Sequence, residues 1–383
     1  MESKFRVRHG PGASLAGFIP LATLMLFNGT AVAAGSAGCT PGIVAGGEPP
    51  HVTRIVLLGT KGGPSVQPPR SEPASLLVVD GVPYLIDAGA GVSRRLALAG
   101  YSPADIDEVF ITHQHVDHNA GLVALMSSSW FTRSWNGEPG PAVQIYGPPA
   151  TAFLVTQALE FLSVSQRIFQ AGVPQLEPAD KMFVAHDIDR NGVFLQTGAI
   201  RVTAVENTHF LTKSYGPTGA RDRSYAYRFD TPAGSVVFTG DTGPSDAVTR
   251  LAKGADALVS EACTDDLCGN AGADAKAAKP VGARATKMAE AEQYHMQHEH
   301  LTPEEVGKMA ATARVGIVIL THLVYTPDPH GRSDEVPEFT AGVRRFYSGP
   351  VIVGEDLFEY DLVRGPPADA EHRPHACESR PSR

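Results

Sequence analysis

Short apolar runs recur along the chain, each closed by glycine, proline or a polar residue, and between several of them apolar positions repeat every three to four residues. Runs of valine, leucine and isoleucine without polar alternation suit strands buried on both faces, whereas the wider spacing suits helices with one buried face. The pattern predicts strands over 54–58, 76–79, 84–86, 109–111, 143–146, 201–205, 225–229, 236–238, 257–259, 317–320 and 351–353. Helices are predicted over 92–99, 121–128, 151–169, 303–313 and 338–347. Strands alternating with helices give an α/β fold of sheets covered by helices. No fixed-period repeat is visible and no linker divides residues 52–364, so one domain is expected there.

Composition sharpens this picture at a few points. The 39 glycines and 30 prolines among 383 residues fit many short elements joined by turns and argue against a coiled coil or helical solenoid. A formal charge of −9 leaves no basic footprint for nucleic acid. Lys4, Arg6 and Arg8 precede an apolar stretch from Ala13 to Phe27 and then Thr30-Ala31-Val32-Ala33-Ala34, the order of a secretory signal, so residues 1–34 are expected to be removed after Ala33 or Ala34. That stretch, broken by Gly17 and Pro20, spans a bilayer poorly. Export to the periplasm or the medium follows as an expectation, with a mature charge of −11 and no stable membrane insertion after cleavage. Residues 35–51 read as a linker and 365–383 as a flexible polar tail. Four cysteines suit disulfides in an exported chain. The favoured pairing is Cys263 with Cys268 and Cys39 with Cys377; free thiols, or a lipid-bearing Cys39, remain open.

Candidate chemistry is densest at His113-Gln114-His115-Val116-Asp117-His118, directly after the apolar run Val109-Phe110-Ile111. Three imidazoles and a carboxylate in six residues are the donor types that a divalent ion such as zinc takes. A solvated polar turn would not need such a concentration of histidine. Further ligands are sought just beyond other buried strands, where a sheet edge presents side chains to a common cleft. Asp87, His209, Asp241 and His322 each stand one to four residues past such a run.

Together these residues resemble the metallo-β-lactamase fold hydrolases, whose pattern is an Asp after an early strand, His-x-His-x-Asp-His, then His, Asp and His. The likeness runs over nearly all of 53–362. It implies a four-layer αβ/βα sandwich with the site along one edge of two sheets. It further implies that His113, His115 and His209 hold one metal ion, that Asp117, His118 and His322 hold a second, that Asp241 bridges them, and that Asp87 orients the histidine-rich loop. Narrower likeness to the ribonuclease Z and arylsulfatase branch rests on Arg54-Ile55-Val56-Leu57-Leu58-Gly59-Thr60, on Val236-Val237-Phe238-Thr239-Gly240-Asp241-Thr242, and on His300-Leu301-Thr302 with Leu320-Thr321-His322. Histidine at 115, where the oxygen-reducing diiron branch has a carboxylate, favours hydrolysis over redox chemistry.

Thr302-Pro303-Glu304-Glu305 is a helix start with a capping box, which fixes His300 two residues before a helix N-terminus. In the resembled branch the histidine here contacts the scissile group, so His300 is expected to donate a proton or stabilise an oxyanion. His295 and His298 are its rivals. With His300, Asp117 completes the candidate catalytic pair. His186 reads as an ordinary strand residue, Glu261 as either a site acid or a plain strand-end acid, and Trp130 and Trp135 as packing residues before cleft residues. Gly59-Thr60-Lys61-Gly62-Gly63 lacks the spacing of a phosphate-binding loop and reads as a glycine turn.

The resemblance implies two divalent ions, Zn2+ first with Mn2+ or Fe2+ as alternatives, and attack of a metal-bridging hydroxide on a phosphorus, sulfur or carbonyl centre. The expected substrate is a small anionic ester, a phosphodiester or a sulfate ester, with a lactone or β-lactam as the alternative hydrolase reading and a non-catalytic metal-binding scaffold as the alternative outside enzymes. Ribonuclease Z inserts a long arm that grips transfer RNA between the third-motif His and the bridging Asp. Here those residues, His209 and Asp241, are too close in sequence to admit it, which disfavours transfer RNA. Homo-oligomerisation stays open.

Overall fold

A computed structural model describes residues 50–65, 70–211, 214–269, 283–325 and 336–365. The expected signal segment, most of the linker, Cys39, Cys377 and nearly all of the tail lie outside the described residues. In chain order the first half forms β1 (His51–Gly59), β2 (Ala74–Val79), β3 (Val82–Ile86), α1 (Val92–Leu98), β4 (Glu108–Phe110), α2 (Val116–Asn119), α3 (Leu122–Trp135), β5 (Val143–Gly147), α4 (Thr151–Gly172) and β6 (Phe183–Asp187). There follow β7 (Gly192–Gln196), β8 (Arg201–Glu206), β9 (Tyr225–Thr231), β10 (Gly234–Phe238), α5 (Asp246–Leu251), β11 (Ala257–Cys263), α6 (Asp265–Cys268) and α7 (Ala283–Glu299). The last elements are α8 (Pro303–Ala313), β12 (Ile317–Val324), α9 (Val336–Arg344), β13 (Val351–Val353) and β14 (Phe358–Arg364).

The strands divide into two seven-stranded sheets, ordered β14-β1-β2-β3-β4-β5-β6 and β13-β12-β11-β10-β9-β8-β7. Three separate apolar clusters show how they stack. Val56 and Leu58 of β1 pack with Val109 of β4, Leu96, Met126 and Leu162 beneath α1, α3 and α4. Ile55 and Leu57, on the other face of the same strand, meet Val236, Val259 and Ile319 of the second sheet. Val318 and Leu320 turn away from that space toward Val306, Ala310 and Val343 of α8 and α9. Because successive side chains leave a strand on opposite faces, both faces of β1, β11 and β12 are buried, and this accounts for their unbroken apolar runs. Helices, sheet, sheet and helices make the expected four-layer αβ/βα sandwich.

Differences from expectation lie at the margins. β1 begins at His51, paired with Arg364 of β14, so His51 belongs to the sheet and not to the linker. β6, β7 and β14 are edge strands whose side chains are half-exposed; His186 falls on β6 as read, whereas the mixed polarity of β7 and β14 hid them. α7 is polar all round, with no apolar stripe for a periodicity search to find.

Strands β3 to β6 run parallel, as do β10 to β13. Their carboxyl ends therefore lie together along one edge of each sheet, the place where open α/β sheets present side chains to ligands.

Candidate metal centre

Ligand atoms of His113, His115 and His209 lie within 4.8 Å of one another, and those of Asp117, His118, Asp241 and His322 form a second group within the same limit. Asp241 joins the two. Its Oδ2 is 3.8 Å from His113 Nε2 and 3.9 Å from His209 Nε2 on one side, 3.3 Å from His118 Nε2 and 3.0 Å from His322 Nε2 on the other. All seven side chains expected as ligands are thus brought to one place. All but His115 are buried.

Local structure sets each of them. Asp87, in a left-handed conformation just past β3, accepts from Thr112 N at 2.8 Å with Oδ1 and from His118 Nδ1 at 2.9 Å with Oδ2. The Thr112 hydroxyl donates to the same carboxylate and stands 3.1 Å from His113 Nδ1. Asp87 therefore grips both ends of the histidine-rich loop and leaves His118 Nε2 to face inward. His209 Nδ1 donates to the Glu299 carbonyl at 2.9 Å, so its Nε2 also points into the centre. His322 owes its place to a bulge. The ladder from β11 pairs Glu261 with Thr321 and Ala262 with Leu323, skipping His322, whose φ of 43° throws its side chain toward the site. The glycine turn after β1 closes the centre from the other side. Gly63 N donates to Asp117 Oδ2 at 2.9 Å, and a Cβ on Gly62 would lie 2.6 Å from His322 Nδ1.

Electrostatics splits the seven into two classes. Burial pushes the His113 and His209 imidazoles well below their ordinary value and lowers His115 too, so these three present neutral lone pairs. Burial acts the same way on His118 and His322, but Asp241 outweighs it, with help from Asp87 at His118 and from Asp117 at His322. His118 is raised well above the ordinary range and His322 to about 10. Burial alone would raise the Asp117 and Asp241 carboxyls, yet His322 and His118 hold both down. Two carboxylates are thus balanced by protons that a cation could replace.

The donor atoms fit such a cation. His113 Nε2, His118 Nε2, both His322 ring nitrogens and Asp241 Oδ1 are buried without a well-aligned hydrogen-bond partner. A buried polar atom left this way costs about 1–3 kcal/mol, and a divalent ion would satisfy several at once. Imidazole nitrogen with carboxylate oxygen suits zinc, and equally manganese or iron.

Beside the centre, His300 Nδ1 donates to Glu261 Oε2 at 2.7 Å, while Glu261 Oε1 accepts from Thr242 N at 2.6 Å. Burial opposes protonation of His300, and Glu261 more than offsets it, so the imidazole is raised above its usual value. The capping box of α8 forms as expected, with Thr302 and Glu305 reciprocally bonded. Of the two rivals, His298 stacks on Tyr294 at the surface. His295 turns inward, its Nδ1 2.6 Å from Glu299 Oε2 and its Nε2 3.3 Å from His300 Nε2. Of the two readings open for Glu261, the structure places it at the site, against His300 and Thr242 N. His295 and Glu299, four apart on α7, form a pair that its polar sequence did not single out. His186 and the two tryptophans are structural, with His186 bonded to Gln144, Trp130 buried and Trp135 stacked on Phe131. A cavity of about 650 Å³ opens next to His115, Phe210 and His295.

Residues 83–323 match the family described as the beta-lactamase superfamily domain. The chain belongs to the metallo-β-lactamase superfamily. Among relatives of this superfamily member, the ribonuclease Z of Mycobacterium avium (strain 104) is 30% identical over 311 residues, covering 79% of this chain and 96% of that protein. Among solved structures, the metallo-beta-lactamase fold protein YhfI from Bacillus subtilis is similar at a TM-score of 0.55 and 19% identity, covering 81% of this chain and 99% of that one. The short form of human tRNase Z is similar at 0.54 and 19%, with the same coverage. At such identities these two structures speak for the fold.

Proposed function

We propose that this superfamily member is an exported, dinuclear metal-dependent hydrolase that cleaves a small phosphodiester or sulfate ester. The observation that carries the reading is the position of Asp241, one carboxylate oxygen within 4 Å of four imidazoles drawn from two groups. His113, His115 and His209 would hold one ion, Asp117, His118 and His322 the other, with Asp241 between them. Bound divalent ions supply Lewis acidity and lower the pKa of water toward neutrality. The chain does the rest. Asp87 and the Glu299 carbonyl fix two imidazole tautomers, the Gly62–Gly63 turn holds His322 and Asp117 in place, and Glu261 keeps His300 protonated for transfer to the leaving oxygen. Export is supported by the charged, apolar, small-residue order of residues 1–34 and by the disulfide between Cys263 and Cys268.

A second reading, RNA as substrate, is favoured by the name of the Mycobacterium avium relative and its extent of match. The test is to load the protein with zinc or manganese and assay bis-p-nitrophenyl phosphate, p-nitrophenyl sulfate, a lactone, nitrocefin and a transfer RNA precursor. Turnover of one of the first two, abolished by His115→Ala and by Asp241→Ala, is the expected result. Exclusive action on the precursor would establish the second reading, and metal binding without any turnover would point to a scaffold.

A further inference from the structure

The cavity beside His115 is formed by three separate pieces of chain. Its floor is His115 with Phe210, one wall is the face of α7 that carries Tyr294, and the other is a hairpin over 214–222. That hairpin is tied by Asp222 N to the Ser214 carbonyl at 3.0 Å and by Gly216 N to the Ala220 carbonyl at 2.9 Å. A volume of about 650 Å³ falls within the range of small-molecule sites, and one end of it abuts the donor groups.

Among the described residues, its charged lining apart from His115 and His295 is acidic. Two carboxylates, Asp222 and Glu299, line the walls, and among the described residues no lysine or arginine does. Glu299 is engaged by His295 and by Leu211 N, whereas the Asp222 carboxylate has no hydrogen bond or ion pair among the described residues. The cations nearest in sequence, Arg221 and Arg223, are both committed to Glu206. Phe210 and Tyr294 add ring surface, which favours planar or cationic groups. A polynucleotide would bring further phosphates against those walls.

We infer that this cavity receives the organic group of the ester and admits one that is neutral or cationic, excluding substrates that carry a second phosphate. The inference rests on the phosphodiesterase reading above and names its substrate class. Thymidine 5'-(p-nitrophenyl phosphate) and its counterpart bearing a 3'-phosphate share leaving group, sugar and base, and differ by one anionic group.

With the metal-loaded protein, kcat/KM is expected to be at least about tenfold higher for the compound without the 3'-phosphate, because like charges would be forced together by the other. Asp222→Lys should shrink or reverse that ratio and Asp222→Asn should reduce it. A ratio near one, or one unmoved by both substitutions, overturns the inference. If neither compound is hydrolysed, the phosphodiesterase reading fails by itself. The cavity is then judged by calorimetric binding of thymidine 5'-monophosphate and thymidine 3',5'-bisphosphate. Tighter binding of the monophosphate, lost in Asp222→Lys, supports the inference, and tighter binding of the bisphosphate refutes it.

Discussion

Asp87→Asn isolates what the carboxylate behind the histidine-rich loop does. The substitution conserves shape, and asparagine tolerates the left-handed backbone with φ of 59°. It cannot conserve the pattern of acceptors. Oδ1 takes the Thr112 N–H at 2.8 Å and Oδ2 takes the His118 Nδ1–H at 2.9 Å, so whichever way the amide is turned, an NH2 faces a donor. Turned toward His118, it leaves Nδ1–H without an acceptor, so the neutral imidazole that a bound ion requires is pushed to the tautomer with its hydrogen on Nε2, the atom aimed at Asp241. Loss of such supporting bonds typically lowers metal affinity 10- to 100-fold, about 1.4–2.8 kcal/mol. The affected ion should be the one near His118 and His322, while the His113, His115 and His209 group keeps its affinity. Zinc titration of the metal-free protein against a chromophoric chelator resolves the two binding steps, and metal content after dialysis provides an independent measure. Two ions retained with unchanged affinities would refute the claim that Asp87 sets the His118 tautomer. Asp87→Ala is the harsher version. It leaves Thr112 N and His118 Nδ1 as buried orphans at about 1–3 kcal/mol each, a large share of the roughly 5–15 kcal/mol that holds a domain together, so its melting temperature should fall sharply.

Gly62→Ala puts a methyl group 2.5 Å from Val324 Cγ2 and 2.6 Å from His322 Nδ1, and should lower metal stoichiometry from two toward one with little change in circular dichroism. His300→Ala should reduce kcat by about 100-fold or more while leaving metal content intact, and Glu261→Gln should fall between it and the wild type; full activity in both would remove His300 from the chemistry. Acid should weaken metal binding. His322, raised to about 10, and His118, raised well above its usual range, carry protons at neutral pH in the metal-free protein, so each captured ion must displace them. Affinity is therefore expected to climb as pH rises through neutrality, with net proton release seen as buffer-dependent heat in calorimetry. Reducing Cys263–Cys268, which are five positions apart, should cost about 2 kcal/mol on loop-entropy grounds, read as a lower melting temperature in dithiothreitol.

Much of this architecture was legible because buried strands announce themselves. Residues 55–58, 257–259 and 317–320 are buried on both faces, and only apolar side chains survive there, so their runs and the acids or histidines that follow them stood out. What could not be read follows from the same physics. β14 alternates half-exposed Phe358, Tyr360 and Leu362 with exposed Glu359 and Asp361, and it abuts a polar tail that masks it. The bulge at His322 depends on register between two strands, which no single strand encodes. His295 is a polar residue on a polar helix, and its inward turn is settled by Glu299, the His209 loop and His300. The Cys263–Cys268 bond agrees with the favoured pairing, while the Cys39–Cys377 pairing lies outside the described residues.

Ownership of the donor atoms is divided between the two layers of strands. His113, His115, Asp117 and His118 follow β4 of the first sheet, and His209, Asp241 and His322 come from the second. Neither half-molecule can complete a coordination sphere by itself, so captured cations would rivet the halves across their seam and add RT ln(1 + [ion]/Kd) to the work of prying them apart. Chelation, on this view, is a mechanical act as much as a chemical one: it withdraws the fasteners at one end of the sandwich and leaves the apolar filling to hold the slices.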